Sequence, residues 1–422
     1  MGNQVTSKSG PVNVLGWVVL LLGAIYLLNI LSPLRLHVDM LRYFAIKDCI
    51  ELGCPPDSVA AKDYLPYGYT ALLLFLSKLG LLNSWVLVLI NCGYFFGALY
   101  LIRKMLPATV NPGVFMVLVL LNWTAVKFVA HPLSEMQYLF FSVCSLYCFY
   151  RYTGNKNWLL LVAAFGFGAL AFITRTVGIA LVAALVAGLA VVYKKELLLL
   201  VKKNKLIVGI VALLLVGVVI FSKQLGLNHY TGVFNKQFVE GVTFLKILKW
   251  HFTEWSEIVF NVSLAKLLPF ISPRLAGVLF VVTGILLFAG FAWFLWIRKN
   301  DLPFIIKLYF FFYSVVMFTW PFYDPRFWVP VLPIIAVVAA QLWERKVARG
   351  VLYAAFAIYA LLGMASTGFL TYTSLDREAF ARSQANGVYR NEYETFFFGR
   401  PQSDTAHVVD PVILNVIKRY DR

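Results

Sequence analysis

Apolar residues are grouped along this chain in long runs separated by short polar stretches. A helix needs about 20 such residues to cross the hydrocarbon of a bilayer. Runs near 13–32, 84–102, 108–128, 135–150, 158–173, 177–193, 206–222, 275–297, 303–320, 327–343 and 350–370 predict eleven transmembrane helices. A twelfth run, 67–82, is short and interrupted by Lys78 and Gly80, so it reads as a helix lying in the membrane interface. The first run lacks a small-residue cleavage site behind a basic segment and reads as an uncleaved anchor.

Charge sorts the connecting segments into two sets. Alternation from a cytoplasmic N-terminus puts 1–12, 103–107, 151–157, 194–205, 298–302 and 344–349 inside. They hold 15 basic residues against three acids, Glu196, Asp301 and Glu344, and the other 17 of the 20 acids fall outside. Basic residues dominate cytoplasmic loops, so every short loop agrees with this orientation. Counting 67–82 as a full span would turn Arg103, Lys104 and the 194–205 cluster outward. The long polar segments, loops 33–83 and 223–274 and the extracytoplasmic tail 371–422, then share the outer face with the turns around 129–135, 174–176 and 321–326. Chemistry is expected there, carried by a membrane domain over 1–370. No internal repeat is visible, which disfavours an inverted-repeat transporter.

Composition narrows the class. Of 422 residues, 61% are apolar and 14% charged, against roughly 45–50% and about 25% in soluble domains. A soluble enzyme, a disordered chain and a secreted disulfide scaffold are excluded, leaving an all-α polytopic membrane protein. The net charge of +17 is read as a topology signal, not as a nucleic-acid footprint. Cys92, Cys144 and Cys148 lie inside apolar runs, whereas Cys49 and Cys54 share a polar loop and can pair in an oxidising compartment. No phosphate-binding Gly-x-x-x-x-Gly-Lys-Ser/Thr, no Gly-x-Gly-x-x-Gly opening a helix and no Cys/His zinc spacing occurs. A cytoplasmic nucleotide site and a divalent metal therefore have no support in the sequence.

The residues that can carry chemistry sit at span ends on the outer face. Asp39 follows the first span closely, where a partly desolvated carboxylate can act as a general base. On a helix, Asp39, Arg42 and Tyr43 share a face, so the alternative is an interfacial acid paired with Arg42. Arg175 and Arg326 each end a span on the acidic face, either as phosphate ligands or as snorkelling cations. His131, before Pro132, reads as a helix-end hydrogen-bonder. Residues 244–255 combine apolar, aromatic and lysine positions and suit an interfacial helix, edging a lipid groove or simply covering the bundle. The sequons at Asn122 and Asn261 are short enough to occur by chance.

Together these segments resemble a family. Asp39-x-x-x-Tyr43-x-Ala45 after the first span and the Pro66-Tyr67-Gly68-Tyr69 segment resemble the membrane glycosyltransferases of the GT-C superfamily, near protein O-mannosyltransferases and lipid A aminoarabinose transferases. Pro132-Leu133-Ser134-Glu135, Thr174-Arg175-Thr176-Val177-Gly178 and Tyr323-Asp324-Pro325-Arg326-Phe327-Trp328-Val329-Pro330 are similar to later family segments, in the same order. The resemblance covers roughly 13–343. Asp39 is followed by Met40 where many relatives have a second acid, and Phe327 replaces a family tyrosine.

The resemblance implies a GT-C-like bundle and inverting transfer of a sugar from a polyprenyl-phosphate donor to a lipid, glycan or protein acceptor, outside the inner (plasma) membrane. Asp39 would be the base and Glu135 a second catalytic acid. Arg42, Tyr43, Lys62, Tyr67, His131, Arg175, Tyr323 and Arg326 would bind substrate or its phosphate. A lipid-linked-sugar flippase and a non-catalytic assembly partner remain the alternatives.

Overall fold

The computed structural model describes residues 14–63, 65–195, 227–296, 301–343, 349–384, 388–402 and 408–422, and every regular element among them is helical. The chain runs α1 (Val14–Leu28), α2 (Val38–Leu52), α3 (Tyr67–Lys78), α4 (Ser84–Met105), α5 (Pro112–Leu120), α6 (Trp123–Val129), α7 (Glu135–Asn155), α8 (Trp158–Thr174) and α9 (Ile179–Val192). It continues with α10 (Leu227–Val239), α11 (Phe244–Phe260), α12 (Pro273–Trp296), α13 (Phe304–Thr319), α14 (Leu332–Trp343), α15 (Arg349–Leu375), α16 (Arg377–Ser383), α17 (Arg390–Phe398) and α18 (Pro411–Tyr420).

Among the described residues, five helical stretches are long and apolar enough to cross a membrane: Val14–Leu31, Ser84–Met105, Pro273–Trp296, Pro325–Trp343 and Gly350–Leu375. The bent pair α5 and α6 makes a sixth if counted as one span. This is fewer than the eleven that the runs predict, for three reasons. The run 206–222 lies outside the described residues. Trp158–Thr174, Thr176–Val192 and Phe304–Thr319 are apolar but shorter. Helix α7 is 21 residues long, but Gln137, Ser142, Ser145 and several tyrosines dilute its apolar run, and it packs in the interior against α4 and α8. Helix α3, at 12 residues, is too short to cross.

The run 108–128 is not one straight helix. It breaks after Leu120 with a 66° bend. A break frees backbone groups that lipid cannot satisfy. Asn122 caps α6 by accepting the Thr124 N–H (3.1 Å) and donates to the Ile258 carbonyl and the Tyr359 hydroxyl (3.0 Å each). Asn261 accepts the Trp123 N–H (2.7 Å) and donates to the Leu121 carbonyl (2.9 Å). It ends α11 at φ 61°, a left-handed conformation that asparagine tolerates better than most residues. Both sequon asparagines are thus buried structural hubs of one break. Asn261→Ala strips a partner from three backbone groups, the Trp123 N–H and the Leu121 and Tyr359 carbonyls, and an unsatisfied buried group costs about 1–3 kcal/mol. A loss of about 3 kcal/mol or more is expected, read as a lower unfolding midpoint in detergent; an unchanged midpoint would contradict it.

The tail folds back onto the link between α1 and α2. Tyr393 accepts the Leu36 N–H and donates to the Leu34 carbonyl. Asp421 accepts the Leu34 N–H, and Gln384 donates to the Leu36 carbonyl, each at 2.5 Å. Arg35 reaches in the other direction to Ser374 (2.8 Å) and stacks over Phe380. The extended link between α1 and α2 is therefore gripped on both sides. Cys49 and Cys54 are paired at the end of α2, with their Cα atoms 4.9 Å apart.

Candidate active site

Four chain segments converge on one cleft. His37 caps α2, its Nδ1 accepting the Asp39 N–H at 3.2 Å, which puts Asp39 in the first helical turn. Asp324 caps the 3-10 turn Pro325–Val331 by accepting the Arg326 N–H at 3.0 Å. Glu135 opens α7. Arg175 occupies the extended residue between α8 and the short turn that starts α9. Gly68 fixes that junction from α3: a Cβ there would sit 2.7–2.8 Å from the backbone of Ile173 and Thr174.

The cleft has a volume of about 350 Å³ and is lined by Asp39, Arg42, Tyr43, Arg175, Tyr323, Asp324, Arg326 and apolar neighbours. Arg326, only 7% exposed at its side chain, is its hub: it pairs with Asp39, with Asp324 at 2.7 Å and with Glu135 at 3.6 Å. Arg175 pairs with the same Glu135 oxygen and donates to Ser134 at 3.3 Å. The Tyr43 hydroxyl also donates to Ser134, at 3.1 Å. Arg42 forks onto Asp63 at 2.7 and 2.8 Å and holds Asp39 at 3.2 Å. Phe327 lies under both guanidiniums, 4.9 Å from Arg326 and 5.6 Å from Arg175. Three arginines therefore face Asp39, Asp324 and Glu135, with Asp63 behind Arg42.

Burial alone would raise the Asp39 carboxyl, but Arg326, by charge and hydrogen bond, His37 and Arg42 together hold it below its ordinary value. It is ionised throughout the physiological range. Burial, and then the adjacent Arg326, lower His37, so its ring is neutral at pH 7 with Nδ1 free to accept. Glu135 is 1% exposed, and its second oxygen has no hydrogen-bond partner among the described residues.

Of the candidate residues, Asp39, Arg42, Tyr43, Arg175, Tyr323 and Arg326 line the cleft, and Glu135 sits behind it on two of its arginines. The other three stand away. Tyr67 is 58% exposed on α3, and only its neighbours Leu65 and Pro66 reach the cleft. Lys62 pairs with Asp57 at 2.7 Å on the exposed loop, because the chain turns outward between Cys54 and Asp63. His131 is buried with Nδ1 2.7 Å from the Lys127 carbonyl, as a helix-end hydrogen-bonder should be.

Reading the sequence gave no role to His37, Asp63 or Ser134, which cap, brace and bridge the site. Ser134 lies in the Pro132–Glu135 segment, and Asp324 ahead of Pro325 is a helix-start signal. It also missed Lys127, an ionisable residue inside the run 108–128, whose ammonium faces the rings of Phe128 and Trp123 at 5.1 and 5.8 Å.

The chain matches no protein-family model, no curated protein and no solved structure.

Proposed function

We propose that this protein is an integral-membrane glycosyltransferase that moves a sugar from a polyprenyl-phosphate donor to an acceptor outside the cell's inner membrane. The observation that carries this reading is the cleft itself: an ionised carboxylate, Asp39, and three guanidiniums, Arg42, Arg175 and Arg326, share one cavity in a protein rich in apolar helices. Transfer needs a base near the attacking oxygen and cations where charge grows on the leaving phosphate.

In the proposed step, Asp39 accepts the acceptor's hydroxyl proton while that oxygen attacks the anomeric carbon. The bond from the anomeric carbon to the phosphate oxygen breaks, with inversion, and polyprenyl phosphate departs. The arginines already have carboxylate partners, so the donor phosphate would take over guanidinium N–H groups that Asp39, Asp324 and Glu135 hold in its absence. Arginine suits such an exchange because its fork engages two oxygens at once.

Mass spectrometry of glycolipids and glycoproteins from cells with and without the protein tests the reading. A sugar modification that disappears without it, and returns with the wild type but not with Asp39→Asn, is expected. Identical profiles would contradict it.

The orientation belongs to the same proposal. In a variant lacking Cys92, Cys144 and Cys148, a membrane-impermeant thiol reagent on intact cells should label cysteine substituted for Glu378 and spare cysteine substituted for Lys195. Both positions are exposed. The opposite pattern would overturn the topology.

Lys127 favours a second reading, a flippase for the same lipid-linked sugar, because ionisable groups within spans mark substrate paths. Its discriminating result is sugar-lipid crossing the bilayer with its sugar bond intact.

A further inference from the structure

Helix α11 has a buried polar face that a merely covering helix does not need. His251, Glu254 and Glu257 follow one another at a spacing of three, and all are buried. Burying a carboxyl and an imidazole is costly unless both are fully hydrogen-bonded. Glu254 is: it accepts from Trp328 Nε1 at 2.8 Å and from the Asp324 N–H at 2.5 Å, and it meets His251 Nδ1 at 2.7 Å. The other nitrogen of His251, Nε2, lies 2.7 Å from the Trp320 carbonyl. A carbonyl only accepts, so Nε2 carries a proton. The Nδ1–carboxyl contact then holds one more proton, on the imidazolium or on the acid. Burial pushes the Glu254 carboxyl above its ordinary value against the pull of His251, Trp328 and the Asp324 N–H, as such sharing requires.

The three anchor points, Trp320, Asp324 and Trp328, span the segment that supplies Phe322, Tyr323, Arg326 and Phe327 to the cleft. Residues 320–324 have no regular secondary structure of their own. Side-chain bonds therefore do for this segment what a helix ladder does elsewhere.

We infer that His251 and Glu254 are positioning residues for the candidate site, holding the Trp320–Trp328 segment so that Arg326 and Tyr323 face Asp39. The inference takes the cleft as the reaction site, as proposed above, but its structural half can be read without any sugar chemistry.

Hydrogen–deuterium exchange on the full-length protein in nanodiscs is the test. In Glu254→Ala and His251→Ala, amides of 320–328 should exchange at least ten times faster than in the wild type, while those of α2 and α4 keep their rates. If the alanine variants do not fold, Glu254→Met, close in volume but without the acceptor oxygens that Trp328 and the Asp324 N–H use, decides the matter by the same exchange readout. In parallel, turnover of the polyprenyl-phosphate sugar should fall at least tenfold. Unchanged exchange over 320–328, or faster exchange there with full turnover, would overturn the positioning role. A wild type without transferase activity but with the same local exchange response would remove the proposed function and leave the clamp standing.

Discussion

Asp39→Asn is expected to cut turnover by about 100- to 10,000-fold, the usual worth of general-base assistance. The amide keeps the size of the carboxyl but cannot take the acceptor's proton. It also removes a negative partner from Arg326 and Arg42. Binding of the donor phosphate should therefore persist or tighten, and the defect should appear in kcat alone. The pH dependence carries a sign. Arg326 holds the folded pKa of Asp39 below its ordinary value despite burial. The base is fully present above the ordinary carboxylate range and is lost only as pH falls through the depressed value. Wild-type turnover should thus show no acidic limb from Asp39 between about pH 5 and 7. A variant retaining more than about a third of normal turnover would show that the carboxylate is not the base, since base assistance is worth far more than that.

Arg326→Ala should have the second-largest effect. This guanidinium ties together Asp39, Asp324 and Glu135. Deleting it leaves Asp324 without its cation and takes one of two arginines from Asp39 and from the buried Glu135, and breaking a buried pair costs about 3–5 kcal/mol. The unfolding midpoint should fall sharply, with transfer abolished. Arg326→Lys separates stability from ligand binding. An ammonium restores one charge but cannot fork onto several oxygens. That variant should fold and bind polyprenyl phosphate about 2 kcal/mol more weakly, close to a thirtyfold rise in Kd. Wild-type affinity and turnover in Arg326→Lys would make Arg326 a structural ion-pair hub alone.

Apolar runs made the helical class legible, because apolar side chains are what a helix in lipid must present. They overstated the number of long helices. Run length does not register a cap inside a run, and Asn122 is such a cap: it read as a chance sequon but starts a new helix at a bend. Nor is charge confined to span ends, since Lys127 lies within a run.

Asp39, Arg42 and Tyr43 were legible from one another, because helical spacing joins them. Arg175, Glu135 and Arg326 were individually visible as charges at span ends. Their meeting was not, because they lie 40 and 191 residues apart and no periodicity connects them. Lys62 and Tyr67 were placed by order along the chain, which says nothing about which way a loop turns. The grip of the tail on Leu34 and Leu36 was hidden for another reason: backbone groups leave no trace in residue type. Helix α11 was half legible, since His251, Glu254 and Glu257 have helical spacing, but only their burial against Trp320, Asp324 and Trp328 reveals what they hold.

Release of polyprenyl phosphate from a labelled polyprenyl-phosphate sugar, followed in proteoliposomes of wild type and Asp39→Asn, bears most directly on the proposed transfer. Wild type should cleave the sugar bond and pass the label to an acceptor, with release at least 100-fold slower in Asp39→Asn at undiminished donor binding. Intact donor appearing in the opposite leaflet, with no release and no difference between the two proteins, would contradict the transferase and identify a flippase.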